Sequence, residues 1–507
     1  MSSANGRQDL SALGIQALVD PGKTPTDEQV RVIEAPRRPL LVVAGAGSGK
    51  TETMSMRVLW LVANHEDIAP SSVLGLTFTR KAAGELGDRL RQRLALLARR
   101  VPSLRERLDE DPVSLTYNSF AERIVAEHGM RIGIDPDFTM LTEAGAVDLM
   151  TQIVEGWPTD LDEDLSPSAA VGHCLHLAGE VGEHGYTVEE ARDALEGFGR
   201  DLEQIGATND TARKTLRANA RRLAYLGPVE EFQRRKREGG LLDFSDQLVL
   251  ATRIVRGAPA VRAQVRDEFQ AVLLDEFQDT SVIQMELLSL LFHDHAVTAV
   301  GDPNQAIYGW RGASASSLER FLDRFQDGPA RPGQTLTLST AWRNDRNILR
   351  AANRVAAPLR EHSRAAKSPV LRARPGAGEG RVDVAYTQDY RSALGAVVDF
   401  VSAHRARGTR EGKRPTTAVL CRRRSDFPYV DMALREAGVP TQIVGLGGLL
   451  DQPSVQDARA ALVLADDVEA SPWLARLLAG IDLGAADLVA LGDWARHLAR
   501  EEGRDPH

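Results

Sequence analysis

The sequence predicts an α/β fold, a parallel sheet covered by helices, on three observations. Residues 40–51 read LLVVAGAGSGKT, an apolar run that ends in a glycine-rich turn closed by Lys50-Thr51. Residues 272–280 read VLLDEFQDT, a second apolar run that delivers two adjacent carboxylates, Asp275 and Glu276, to its carboxyl end. Around both, short apolar segments alternate with stretches of helical periodicity, the pattern of strands crossed over by helices.

The elements follow in order. Leu40–Ala44 predicts a strand, and Thr51–Asn64 a helix with Met54, Val58, Leu61 and Val62 on one side. Val73–Phe78 predicts the next strand, and Lys81–Arg99 a helix whose Leu86, Leu90, Leu94 and Leu97 recur at helical spacing. From 116 to 241 the chain is helical, charged and punctuated by Pro and Gly, which reads as a helical insertion. The strand–helix pattern resumes at Ala271–Asp275, Ile283–Phe292 and Ala296–Val300, so the first domain is discontinuous. A Pro/Gly/Arg-rich stretch, Arg372–Gly380, then leads to Arg381–Tyr386, Thr417–Cys421 and Gln442–Val444. These read as strands of a second α/β unit, followed by a helical end. A length of 507 residues is too long for one core and fits about three or four domains.

The chemistry of the two motifs is specific. Backbone N–H groups of a glycine-rich turn at a helix start cradle phosphate, which assigns Ala44, Gly45, Ala46, Gly47, Ser48 and Gly49 to the cradle. The Lys50 ammonium reaches the terminal phosphates, and the Thr51 hydroxyl reaches Mg²⁺. Asp275 is suited to hold Mg²⁺ and Glu276 to orient an attacking water. A phosphate loop alone implies that nucleotide binds; the acidic pair implies that it is hydrolysed.

Composition narrows the classes. Hydrophobic residues at 43% and charged residues at 26% are ordinary for a globular protein. No uncharged apolar run approaches the ~20 residues needed to span a membrane, and the first residues lack a signal-peptide core, so the expected place is the cytoplasm. The two cysteines, Cys174 and Cys421, fit a reducing compartment. His173-Cys174-Leu175-His176 suggests a metal corner, but no second ligand pair follows, and helix packing is the preferred reading. Net charge is −9, so a nucleic-acid site must be a local groove. The basic runs Arg234–Arg237 and Arg422–Arg424 read as solvated faces.

Taken together, the ordered motifs resemble the UvrD/Rep/PcrA class of superfamily 1 DNA helicases along nearly the whole chain. The resemblance implies RecA-like P-loop NTPase domains with helical insertion domains, ATP and Mg²⁺ as cofactors, and single-stranded and duplex DNA as partners. Thr26-Asp27-Glu28-Gln29 is similar to the family's Q motif, in which Gln29 would hydrogen-bond adenine. Thr77-Phe78-Thr79-Arg80-Lys81-Ala82-Ala83 resembles motif Ia, which faces single-stranded DNA; Arg80 stands where the family usually has Asn. Tyr117-Asn118-Ser119-Phe120 is similar to the TFHS segment, and Asp243-Phe244-Ser245-Asp246 to the element that returns the chain to the first domain.

Gly301–Ala313 closely resembles motif III. Gln305 would contact the γ-phosphate, and Tyr308, Trp310 and Arg311 would face DNA bases and phosphates. Aromatic faces stack on any base, at ~1–3 kcal/mol each, so such a site tolerates sequence; the alternative for two aromatics near a strand end is core packing. Ala341-Trp342-Arg343-Asn344 matches motif IV at its aromatic and its arginine, and Arg343 would reach the γ-phosphate from the second domain.

The implied organisation is a motor domain 1A at 1–115 and 242–340, a helical insertion 1B at 116–241, a partial second motor domain 2A at 341–460 and the start of insertion 2B at 461–507. The stretches GKTETMSMRVLWLVANH, LGLTFTRKAAGEL and GDPNQAIYGWRGAS are most similar to actinobacterial AdnAB helicase–nucleases, in particular the AdnB-type motor, which implies a second helicase–nuclease subunit as partner. Glu52 departs from the basic residue that members often carry after GKT near the base, which opens the question of strict adenine preference.

Segments like the family's motif V (TxHxxKGLE) and motif VI (YVAxTRA, with a second arginine finger) do not occur, nor does the nuclease domain. The chain is therefore expected to be an N-terminal portion of a motor. An arginine finger is worth ~10³–10⁵ in rate. Two functions stay open: a 3′–5′ DNA helicase or translocase of repair and recombination, or an ATP- and single-stranded-DNA-binding fragment that unwinds no duplex without a missing half or partner.

Overall fold

The computed structural model describes residues 10–135, 138–159, 161, 165–206, 209–309, 317–326, 332–362, 367–406, 416–444, 453–466, 471–481 and 483–501. The chain divides into two compact units, Met1–Val382 and Asp383–His507.

Among its described residues the first unit holds ten strands: β1 Leu40–Ala44, β2 Val73–Thr77, β3 Val113–Thr116, β4 Thr139–Met140, β5 Leu241–Leu242, β6 Ala271–Leu274, β7 Val297–Gly301, β8 Gln334–Leu338, β9 Thr340–Ala341 and β10 Arg372–Ala373. Six of them form one parallel sheet in the order β3-β2-β6-β7-β1-β8. Strands β1, β2, β6 and β7 are buried at every position, as a sheet covered on both faces requires. Successive side chains of β1 enter opposite cores. Leu41 and Val43 join Phe120, Phe269, Phe292, Phe321 and Phe325, whereas Leu40, Val42 and Ala44 join Met54, Val58, Leu61 and Leu90. The helix Lys50–Asn64 contributes the apolar stripe that its spacing predicts, and the helix Arg80–Arg100 buries Leu86, Leu90, Leu94 and Leu97 behind a Thr79 N-cap.

Arg57 is fully buried in this layer, and among the described residues no carboxylate pairs with it. Its Nε donates to Thr298 Oγ1 at 2.8 Å, and its terminal nitrogens donate to the carbonyls of Val32, Ile33, Ala35 and Pro36 at 2.9–3.2 Å. The carbonyls of Val32 and Ile33 end the helix Asp27–Ile33 and those of Ala35 and Pro36 follow it, so the cation binds the negative end of a helix dipole and ties it to helix Lys50–Asn64. Burial lowers the guanidinium to about 10, still charged at neutral pH. Arg57→Met would strand those acceptors away from water, at a cost of about 3 kcal/mol or more. Urea denaturation should show it as a lower midpoint; an unchanged midpoint would mean that water takes over the carbonyls.

Between β4 and β5, which pair in parallel, the chain makes the helices Glu143–Glu155, Pro167–Glu183, Val188–Gln204 and Asp210–Glu238. They share a core of Met150, Ile153, Val171, Cys174, Leu226, Val229 and Phe232. Cys174 is buried there, its thiol pushed up to about 11 by desolvation, and the His173 ring stacks on Tyr225. The helix Tyr117–His128 packs instead on the sheet, through Phe120, Ile124 and Val125. One expectation needs correction. Arg234 and Arg235 do pair with glutamates at the surface, but Lys236 is buried between Asp243 and Asp246, and so belongs to the packing and not to a solvated face. Two carboxylates in reach recover what its ammonium loses on leaving water.

The second unit contains the helices Tyr390–Ala406, Phe427–Glu436, Pro453–Asp466, Ser471–Gly480 and Ala485–Glu501, with a small core of Val401, Leu434 and Val439. The segments 381–386, 417–421 and 442–444 form no strand ladder, contrary to the sequence expectation. Alternation and β-branched residues favour an extended backbone, yet a strand exists only where a neighbour offers complementary N–H and C=O groups. Val384, Leu420 and Val444 are accordingly exposed.

Candidate nucleotide and nucleic-acid site

Each strand of the six-stranded sheet sends a motif out from its carboxyl end. β1 leads to the glycine-rich turn, β6 to Asp275-Glu276, β7 to Asp302–Gln305, and β8 through β9 to Trp342-Arg343. These four strands are consecutive in the sheet, so their turns converge; carboxyl ends of parallel strands are where such folds bind ligands. β2 leads to Phe78 and Arg80, and β3 to Tyr117 and Asn118.

Gly47 and Gly49 of the turn take positive φ, +74° and +82°. Gly49 is the N-cap of helix Lys50–Asn64 and supplies no side-chain cap, so the first helical N–H groups are open to an anion. The Ser48 hydroxyl is buried without a hydrogen-bond partner among the described residues. A side chain at Gly45 would meet Leu371 Cδ2 at 2.1 Å, so the chain passes too closely there for any Cβ. The segment after β9 lies on this turn. Trp342 N–H donates to the Gly47 carbonyl at 2.8 Å, and Arg343 Cβ is 3.0 Å from where a Gly47 side chain would start. Arg343 is exposed.

Lys50 Nζ meets Glu276 Oε2 at 2.5 Å. Glu276 sits at φ +50°, a left-handed conformation that costs a glutamate on the order of 1 kcal/mol and holds its carboxylate over the turn. Asp275 is half-buried; desolvation, and then repulsion from Glu276, raise its carboxyl to about 6. A cation placed between Thr51 and Asp275 would relieve that burial, so the donor set fits Mg²⁺. Gln305 Nε2 donates to Asp302 Oδ2 at 2.7 Å.

Gln29 is buried at the third position of helix Asp27–Ile33, in a capping box with Thr26. Its Oε1 accepts from Thr26 N–H at 2.9 Å and its Nε2 donates to Thr53 Oγ1 at 3.2 Å. One N–H and one lone pair of the amide are left for another partner. The nearby Glu52 is held by Arg93, whose guanidinium nitrogen lies 2.6 and 2.7 Å from its two oxygens. A cation thus stands beside Glu52 even though the sequence places an acid there; only the fold brings residue 93 back to it.

On the neighbouring face Phe78 and Tyr308 hold their rings parallel, 6.4 Å apart at 4°. Arg80 is exposed at the start of its helix. Asn118 is half-buried and accepts from Gln284 at 3.4 Å. Tyr117 is a correction. It is buried, its hydroxyl donates to the Asp275 carbonyl at 3.1 Å and its ring tilts against Phe78, so it buttresses the acidic pair instead of offering a face to DNA. A phenol that starts a helix beside the sheet covers more apolar area inward than outward. Trp310 and Arg311 lie outside the described residues.

Comparison with known proteins agrees with this geometry. Residues 25–326, more than half of the chain, match the model for the UvrD/REP helicase N-terminal domain. The chain belongs to the UvrD/REP helicase family. This UvrD/REP family member is 27% identical over 476 residues to DNA helicase II of Haemophilus influenzae, which covers 94% of the chain and 58% of that relative. It is 28% identical over 441 residues to DNA helicase II of Escherichia coli, covering 86% and 54%. To the ATP-dependent DNA helicase PcrA of Staphylococcus epidermidis it is 26% identical over 436 residues, covering 86% and 53%. The chain therefore spans about half the length of the curated relatives it matches.

Proposed function

We propose that this chain is the ATP-hydrolysing motor portion of a DNA helicase that moves 3′ to 5′ along single-stranded DNA in repair and recombination. The observation that carries the reading is the convergence of the phosphate loop, Asp275-Glu276, Gln305 and Arg343 at one end of the sheet, beside the Phe78–Tyr308 pair. In this reading the loop residues 44–49 and Lys50 hold the phosphates of ATP, and Thr51 and Asp275 would hold Mg²⁺, which would neutralise phosphate charge. Glu276 orients the attacking water, Gln305 and Arg343 meet the γ-phosphate, and Gln29 meets the adenine edge. Phe78, Arg80, Asn118, Tyr308, Trp310 and Arg311 grip the DNA strand.

Residues 1–115 and 242–340 then form domain 1A, 116–241 insertion 1B, 341–460 domain 2A and 461–507 the start of 2B. The four-helix cluster between β4 and β5 supports the first insertion. The name PcrA's "ATP-dependent" and the name DNA helicase II support the nucleotide and the substrate. An AdnB-like motor working with a second helicase–nuclease subunit in the cytoplasm is the finer form of the proposal. No helix among the described residues is long and apolar enough to cross a membrane. A second reading, an ATP- and single-stranded-DNA-binding module without unwinding, is favoured by the extended segments of the second unit, which join no strand ladder among the described residues.

Single-turnover hydrolysis of ATP, with and without single-stranded DNA, tests the reading. DNA should raise the rate by about tenfold or more, a barrier change of ~1.4 kcal/mol. Binding of both ligands with no hydrolysis would favour the module, and hydrolysis indifferent to DNA would overturn the DNA motor.

A further inference from the structure

Glu28 stands beside Gln29 on the helix Asp27–Ile33 and has no part in the chemistry assigned above. It is half-buried, and both oxygens of its carboxylate grip one residue far along the chain. Ser339 N–H donates to Oε2 and Ser339 Oγ to Oε1, each at 2.7 Å. Two-point contacts to a carboxylate fix geometry as well as contributing energy. Ser339 is buried at the point where the chain changes sheets. β8 ends at Leu338 against β1, and β9 begins at Thr340 against β10. The Ser339 carbonyl already belongs to the second pairing, since it accepts from Arg372 N–H at 2.9 Å, whereas its N–H goes to Glu28 and not to a strand. Three residues on, Trp342 N–H donates to the Gly47 carbonyl at 2.8 Å, and Arg343 follows. Three residues span at most ~11 Å, so a shift at Ser339 reaches the phosphate loop with little to absorb it.

We propose that Glu28 is a positioning residue for hydrolysis: by clamping Ser339 it sets the crossover from which Trp342 and Arg343 run onto the phosphate loop, and so holds Arg343 in reach of the γ-phosphate. The inference rests on the ATP reading above, in which Arg343 meets that phosphate. The Arg343 side chain is exposed, so its backbone anchors decide where it starts. Those anchors are the Gly47 carbonyl just before it and the clamp at Ser339. Without Glu28 the Ser339 N–H and hydroxyl lose their acceptors in a buried place, and the crossover must move to recover them. A displacement of about 1 Å near the reacting atoms costs up to ~10²-fold in rate. The rest of the site does not lean on the clamp: the Gln29 amide is held by Thr26 and Thr53.

The test is a double-mutant cycle between Glu28 and Arg343 on the full chain, read by single-turnover ATP hydrolysis and by the Kd of a fluorescent ADP with Mg²⁺. Glu28→Ala should slow hydrolysis by about tenfold to a hundredfold and leave ADP, which has no γ-phosphate, bound within about threefold of wild type. Added to Arg343→Ala it should slow hydrolysis by less than about twofold more, because the group it positions is gone. General loosening of the fold would weaken ADP or add its full effect to that of Arg343→Ala, and either result overturns the proposal. Glu28→Gln can still accept the Ser339 N–H and donate to the Ser339 hydroxyl, so it should recover the rate to within about threefold of wild type. If circular dichroism shows Glu28→Ala unfolded, Ser339→Ala, which removes one arm of the clamp, takes its place in the cycle, with a loss of about threefold or more that again vanishes beside Arg343→Ala. A glutamine variant as slow as alanine overturns the proposal, as does an alanine variant within about twofold of wild type. A wild type that hydrolyses no ATP overturns the motor reading itself, and the proposal with it.

Discussion

Alanine at Lys50 is expected to lower ATP turnover by on the order of 10²–10³-fold, the usual cost of deleting one group aimed at developing charge. The lysine heads a helix whose N-terminal N–H groups are fixed in the backbone, so the variant keeps the cradle and loses the one mobile point charge. Nucleotide affinity should fall as well, since the ammonium meets ground-state and transition-state oxygens alike. The fold should not suffer. The partner Glu276 is 40% exposed, and ion pairs with that much solvent contact contribute ~0–1 kcal/mol. Phosphate release and urea denaturation, run side by side, separate the two effects. Turnover within about threefold of wild type would remove Lys50 from the chemistry.

How much of this was legible in the sequence varies with the range of the interaction. The strands β1, β2, β6 and β7 are uninterrupted apolar runs and could be read directly, because a strand covered on both faces has no polar side to confuse the period. β3 and β8 escaped. They stand at the two edges of the sheet, and β8 carries polar residues on largely solvated positions, so hydropathy marks neither. The stretch 381–386 erred the other way: Val382, Val384 and Tyr386 alternate like a strand, yet join no ladder among the described residues.

Within the candidate site, Lys50, Asp275 and Glu276 were visible because local backbone chemistry fixes their roles. Tyr117 was misplaced because its value lies in a hydrogen bond to a carbonyl 158 residues away. Arg93 on Glu52 and Leu371 on Gly45 depend in the same way on contacts that no spacing rule encodes. Glu28 sat in plain view beside Gln29. Only its two hydrogen bonds to Ser339, 311 residues away, distinguish it from an ordinary acid in a first helical turn.

Glutamine at Glu276 should lower the rate as alanine at Lys50 does, but leave nucleotide binding intact. The amide matches the carboxylate in shape, so the left-handed backbone at residue 276 and the neighbouring Gln278 can be retained. It cannot take a proton from water or hold it by charge, and loss of such a group costs on the order of 10²–10⁴ in turnover. Nucleotide binding should survive, and even tighten. In the wild type the phosphates must compete with Glu276 for Lys50, 2.5 Å away, whereas a neutral amide offers that ammonium no ion pair to give up. The measurement is a pair of numbers for each variant, the dissociation constant of a fluorescent ATP analogue and the single-turnover rate. Lys50→Ala should lose on both axes, and Glu276→Gln on the rate alone. If Glu276→Gln instead weakens binding in proportion to the rate, its carboxylate is a ligand of the nucleotide complex and the water must be oriented from elsewhere.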